Sequence, residues 1–146
     1  MTRADWAHTL PQASLNGIYQ APAERMVGLE AAAHAAGHAL FRLDLAHVAS
    51  KSTLLDTFAQ ALAFPEHFGH NWDALADCLA DLAWHPAKGY VLVLEHSDAY
   101  ARAHRQDWHT LVSVLESAAE SWQEAQRPFR VLTDLAHPSE DVRPLP

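Results

Sequence analysis

The sequence predicts an α/β domain: a small three-stranded parallel sheet packed by helices, with an extra N-terminal helix. Two observations carry this. The run Tyr90-Val91-Leu92-Val93-Leu94 is apolar without alternation, as expected of a strand buried on both faces of a parallel sheet. Segments of helical period separate it from two further strand-like runs, and helices between strands permit the right-handed crossovers that parallel pairing needs. The chain has 146 residues, 49% of them hydrophobic and 19% charged. That is enough to bury a core without metal or disulfide, and it excludes a largely disordered chain.

Residues 1–15 show no periodic apolar face and are expected to be loop-like and dispensable for folding. Asn16-Gly17 reads as a turn before the short apolar pair Ile18-Tyr19. Pro22 suits the first position of a helix carrying Met26, Leu29, Ala33 and Ala36, with Gly37 as its C-terminal cap. Leu40-Phe41-Arg42-Leu43-Asp44-Leu45 reads as the first strand. Ser50 or Ser52 then caps a helix whose apolar side is Leu54, Leu55, Phe58, Ala61 and Leu62, ended by Pro65.

Phe68-Gly69-His70-Asn71 reads as a loop in which Asn71 caps the following helix. Trp72, Leu75, Cys78, Leu79 and Leu82 form the core side of that helix. Pro86 and Gly89 precede the buried strand at 90–94. Asp107 is expected to cap a long helix carrying Trp108, Leu111, Leu115, Ala118 and Trp122. Arg127-Pro128 stops it, and residues 129–133 form the last strand. The tail from His137 holds three prolines and is expected to fray.

Composition narrows the function classes. Ten Lys and Arg against eighteen Asp and Glu give a net charge of −8, which argues against binding a phosphate backbone. No apolar run is long enough to span a membrane. The first twelve residues lack the apolar stretch of a signal peptide, so a cytoplasmic protein is expected. Cys78 is the only cysteine, which excludes an internal disulfide and a cysteine-based zinc cluster.

From residue 52 to 87 there is no Lys or Arg, while Asp56, Glu66, Asp73, Asp77 and Asp81 all fall there. Asp73, Asp77 and Asp81 follow at i, i+4 and i+8 and line up on one side of their helix. Like charges at that spacing oppose each other by ~0.2–0.5 kcal/mol per pair, and Asp is a poor helix former. The stripe is either an acidic ridge built to meet cations or an ordinary solvated face. Carboxylates on consecutive turns point the same way, so they do not readily flank a bond from both sides as paired acid and base must. No phosphate loop, nucleophile elbow or zinc-binding His-Glu-x-x-His pair is present. Cys78 lies on the apolar side of its helix, where an inert buried thiol is expected. Of eleven histidines, His67 and His70 lie near the acidic helix. A hydrolase or metal-binding protein using the Asp/His cluster of residues 67–77 is therefore the alternative to an interaction surface. Phe68 and His67, beside the ridge, suit an interface hot spot, although Phe68 and Trp72 also suit the core.

The stretch Phe64-Pro65-Glu66-His67-Phe68-Gly69-His70-Asn71-Trp72-Asp73-Ala74-Leu75-Ala76-Asp77-Cys78-Leu79 closely resembles the signature of the barstar family of intracellular ribonuclease inhibitors. The shared features are a Pro, an aromatic-Gly pair, Asn, then Asp-Ala-Leu and Asp-Cys-Leu on one helix. The resemblance implies the family's small parallel sheet over residues 39–135, an N-terminal extension at 1–38 and a flexible tail at 136–146. It implies an inhibitor rather than an enzyme, with no catalytic residue, cofactor or metal. The partner would be a basic ribonuclease, either barnase-like or a toxin nuclease domain. Neither nucleic acid nor membrane would be bound, and a monomer is expected. Carried over by position, Asp77 is the central carboxylate and Asp73 its neighbour. His67 takes the place of an aromatic that enters the nuclease pocket, and Gly69, Phe68 and Asn71 belong to the contacting loop. Ala76 and Ala80 fall where the best-known member has a Trp and a hydroxyl residue. The family's acidic contact on the last long helix falls near Ser121, beside Glu120 and Glu124.

Overall fold

The computed structural model describes residues 5–137 and 141–146. Five strands form one wholly parallel sheet: β1 (Gly17–Gln20), β2 (His38–Asp44), β3 (Gly89–Glu95), β4 (Phe129–Thr133) and β5 (Arg143–Pro144), in the order β2-β3-β4-β1-β5. The three strands expected from the sequence are β2, β3 and β4. The expectation of three strands is corrected to five by the two ends of the chain. Ile18-Tyr19 is no isolated pair but the middle of β1, which docks beside β4 and puts Ile18 opposite Val131. The end of the chain adds β5 along the outer edge of β1, where the Leu145 amide donates to the Gln20 carbonyl at 2.8 Å and Val142 is buried. An unpaired strand edge offers a row of free amides and carbonyls, and the expected free tail satisfies part of that row. Residues 138–140 of that tail lie outside the described residues.

Period-two alternation then sorts side chains to two cores. Phe41, Leu92, Val131 and Ile18 form a row across four strands on one face. Helices α3 (Lys51–Ala61), α4 (Trp72–Asp81) and α6 (Arg105–Glu124) supply Leu54, Phe58, Leu75, Leu79, Leu111 and Leu115 to that core. On the opposite face Val91, Val93, Leu132 and Tyr19 pack with Trp6, Leu10, Leu29 and Ala33 from the short helices α1 (Trp6–Thr9) and α2 (Leu29–Ala35). The strand read as buried on both faces is β3, the second strand of the sheet and buried from Gly89 to Leu94.

Several local expectations change. Residues 1–15, expected to be loop, contain α1, capped by the Asp5 carboxylate at 3.2 Å from the His8 amide, and bury Trp6 and Leu10. Asn16 is not a turn residue but a buried connector whose Oδ1 accepts from the Phe129 amide. The helix expected from Pro22 is split: Ala23–Met26 is a 3-10 turn, and Gly28 at φ 82° precedes α2. A further helix, α5 (Ser97–Ala103), precedes α6, so α6 starts at Arg105 with His104 before it, and Asp107 sits in its first turn rather than capping it. Ser50, not Ser52, caps α3 by accepting from the Thr53 amide at 3.2 Å.

Candidate functional site

The site is built on α4 and the loop before it. Asn71 starts the helix: its Oδ1 accepts from the Ala74 amide at 2.7 Å and its Nδ2 donates to the Gly69 carbonyl at 3.3 Å. One side chain thus fixes both the loop and the first turn. Leu75 and Leu79 anchor the inner face in the core. The Trp122 indole of α6 donates to the Leu79 carbonyl at 2.8 Å. Leu82, at φ 49°, ends the helix in a left-handed cap.

Packing holds the loop as well. Phe64 meets Phe68 edge-on at 5.0 Å and Trp84 at 5.9 Å, and the Trp84 indole donates to the Leu62 carbonyl at 3.0 Å. His70, at φ 58°, points its Nε2 at the Asp56 carboxylate of α3, 2.8 Å away. Lys51 lies over the Trp72 ring at 5.7 Å.

On this frame Asp73, Asp77 and Asp81 are all exposed. Among the described residues none of the three carboxylates has a hydrogen-bond or ion-pair partner. A groove of about 260 Å³ runs between loop and helix; His67, Phe68, Gly69, Asp77, Cys78 and Asp81 are among its lining residues. The structure therefore brings His67, Gly69 and Phe68 together with Asp77. Asp73, Asn71, Ala76 and Ala80 lie outside that lining: Asp73 and Ala80 are exposed, Ala76 is half-buried, and Asn71 is engaged as the cap. Phe68 packs against the core, as one reading of it expected, and it also lines the groove.

Sequence reasoning missed two features. Trp84 lines the groove together with Asp77 and Asp81. The His70–Asp56 contact links two elements that sequence spacing alone does not bring together. On α6, Ser121, Glu120 and Glu124 are exposed, and the two glutamates line a separate surface cleft with Gln123.

Chemically the site offers negative charge and little else. The Cys78 thiol is half-buried, and burial, followed by the nearby Asp77 and Asp81 carboxylates, pushes its pKa up. A thiol held protonated in this way is a poor nucleophile. Among the described residues no three His, Cys, Asp or Glu side chains come together as a metal-ion site needs. No described helix is long and apolar enough to cross a membrane.

A comparison with curated proteins gives no match. A family model described as Barstar (barnase inhibitor) matches residues 38–134. That stretch begins with β2, ends just after β4, and contains α3 to α6 and the whole acidic groove, whereas β1 and β5 lie outside it. The match covers well over half of the sequence and agrees with the fold just described, so the chain belongs to the barstar (barnase inhibitor) family.

Proposed function

We propose that this protein inhibits a basic ribonuclease by placing α4 and the 64–71 loop in the nuclease active site, with Asp77 central, Asp73 beside it and His67 entering the pocket. The supporting observation is the row of exposed, unpartnered carboxylates on a helix fixed at both ends. A ribonuclease site must be rich in cations to hold phosphate, and carboxylates at the right spacing replace those phosphates. The inhibitor needs no chemistry of its own. Rigidity favours it, since a preformed loop and helix lose little freedom on binding. Gly69 and Phe68 shape the loop, Asn71 positions it, and Ala76 and Ala80 present a flat helix surface to the enzyme. The inhibitory unit is residues 39–135, acting as a monomer in the cytoplasm, and β1 and β5 extend the sheet behind it.

The test is inhibition of RNA cleavage by purified basic ribonucleases of the barnase type as the protein is added. Stoichiometric loss of activity with at least one of them is expected. Full activity of every enzyme in excess protein would overturn the reading.

A further inference from the structure

A second site lies on the opposite face of the sheet from α4. We propose that the cavity closed by α1 and the C-terminal strand binds a small monocarboxylate with an apolar tail, its carboxylate held by Arg130. Arg130 stands on β4 between β3 and β1 and is 2% exposed. Its Nη2 donates to the Thr9 and Gln12 carbonyls, both at 3.1 Å, while its Nε has no partner. Among the described residues no carboxylate lies within ion-pair distance of it. A buried guanidinium with no counter-ion is strongly disfavoured unless an anion reaches it. Burial lowers its pKa, yet arginine remains charged at neutral pH.

The cavity has a volume of about 100 Å³, and Arg130 forms part of its lining. Trp6, Leu15, Tyr19 and Leu145 provide apolar walls. The hydroxyls there are already engaged: Thr9 Oγ1 donates to the Asp5 carbonyl at 3.0 Å, and the Tyr19 hydroxyl donates to the Leu15 carbonyl at 2.8 Å. Among the described residues the guanidinium is the one cationic side chain on the lining, and it calls for an anion. Asp5 is also on the lining, and its negative charge disfavours a dianion such as phosphate. Benzene fills an apolar cavity of about 150 Å³, so this space suits an acid of about four carbons. Gly17 contributes by lacking a side chain, since a Cβ there would meet Arg143 Nη2 at 2.8 Å, and that Nη2 is 3.3 Å from the Tyr19 hydroxyl. Every lining residue except Arg130 lies outside residues 38–134.

The test titrates the full chain with sodium isobutyrate and with isobutyramide, its uncharged counterpart of the same shape, following the Trp6 indole N–H resonance and the Tm. Isobutyrate should shift the resonance saturably, with a dissociation constant on the order of 1 mM, and raise the Tm. The amide should do neither. Arg130→Met should abolish the response. Because that variant also frees two carbonyls and can fail to fold, Leu15→Trp provides an independent check: it fills the cavity, leaves Arg130 in place and should abolish the response as well. Absence of a saturable response, equal responses to acid and amide, an equal response to inorganic phosphate, or an undiminished response in Leu15→Trp would each overturn the proposal.

Discussion

The Asn16 side chain accepts a hydrogen bond from the Phe129 amide at 2.8 Å, at the point where the N-terminal strand meets the last strand of the family core. Asn16 is 6% exposed, and its Nδ2 donates to the Ala119 carbonyl at 3.2 Å and the Arg127 carbonyl at 2.9 Å. One amide therefore ties β1 to α6 and to the start of β4. Replacing it leaves a buried donor and two carbonyls with a lost partner. Asn16→Ala should lower stability by about 2 kcal/mol. Urea unfolding checks this: the midpoint should fall while the m value stays constant.

The same region gives residues 5–15 packing and hydrogen-bonding contacts that run against the expectation that this stretch is dispensable. These residues bury Trp6 and Leu10 against Val91, Val93 and Leu132, and their backbone carbonyls hold Arg130. Deleting them exposes that face of the sheet and should lower stability by about 3–5 kcal/mol. A truncated protein melting cooperatively at the full-length Tm would show that this face does not need its cover.

For the acidic groove, Asp77→Ala should weaken binding of a cognate ribonuclease by at least ~2 kcal/mol, the level of an interface hot spot. The free protein should be as stable or more so, because Asp77 has no partner to lose and alanine is the better helix former. Calorimetry on the complex and thermal melting of the free protein separate the two effects. Equal affinity for wild type and variant would remove Asp77 from the centre of the site.

Charge should act over distance as well. With no Lys or Arg between residues 52 and 87, the approach of a basic enzyme should be steered. Stopped-flow association should slow markedly from low to physiological salt, with a smaller change in dissociation. A salt-independent association rate would leave only short-range contacts to explain binding.

At the other end of β2, Asp44 and His96 meet at 2.7 Å between Oδ1 and Nδ1. Hydrogen bonding to Asp44 raises the His96 pKa above its ordinary 6.5. The Ala46 amide first, and then His96, lower that of Asp44 below its ordinary 3.8. The raised histidine stabilises the fold fully below pH 6.5, and this is lost as pH climbs through its folded pKa. The lowered carboxylate stabilises it above pH 3.8, and this is lost as pH falls through its own folded pKa. The pair therefore holds best between those two values. Proton NMR should find His96 titrating above 6.5, returning towards 6.5 in Asp44→Asn. An unchanged titration in that variant would rule out Asp44 as the cause.

Much of the fold was legible because its signals are local. The unbroken apolar run at 90–94 marks a strand covered on both faces, and that is β3. Ser50 and Asn71 cap their helices through hydrogen bonds three residues long, and such spacing can be read directly. The stripe of Asp73, Asp77 and Asp81 is likewise set by helix geometry, and all three are exposed as that spacing implies. By contrast, α5 was hidden because seven residues before a long helix give too short a window for periodicity.

What the sequence by itself determined is the alternation of strands and helices, the capped acidic helix with its loop, and the family to which that signature points. What only the tertiary structure decided lies at the ends of the chain. β1 spans four residues and β5 two, too few for either to announce itself by pattern, and each is a strand because a neighbour offers an unpaired edge. Asn16 reads locally as a turn and becomes a connector only when residues over 100 positions away bring their amides and carbonyls to it. Arg130 shows the same limit. In sequence it is a charged residue in an apolar strand, but folding places it under α1, where burial without a counter-ion gives it a meaning that no local pattern carries.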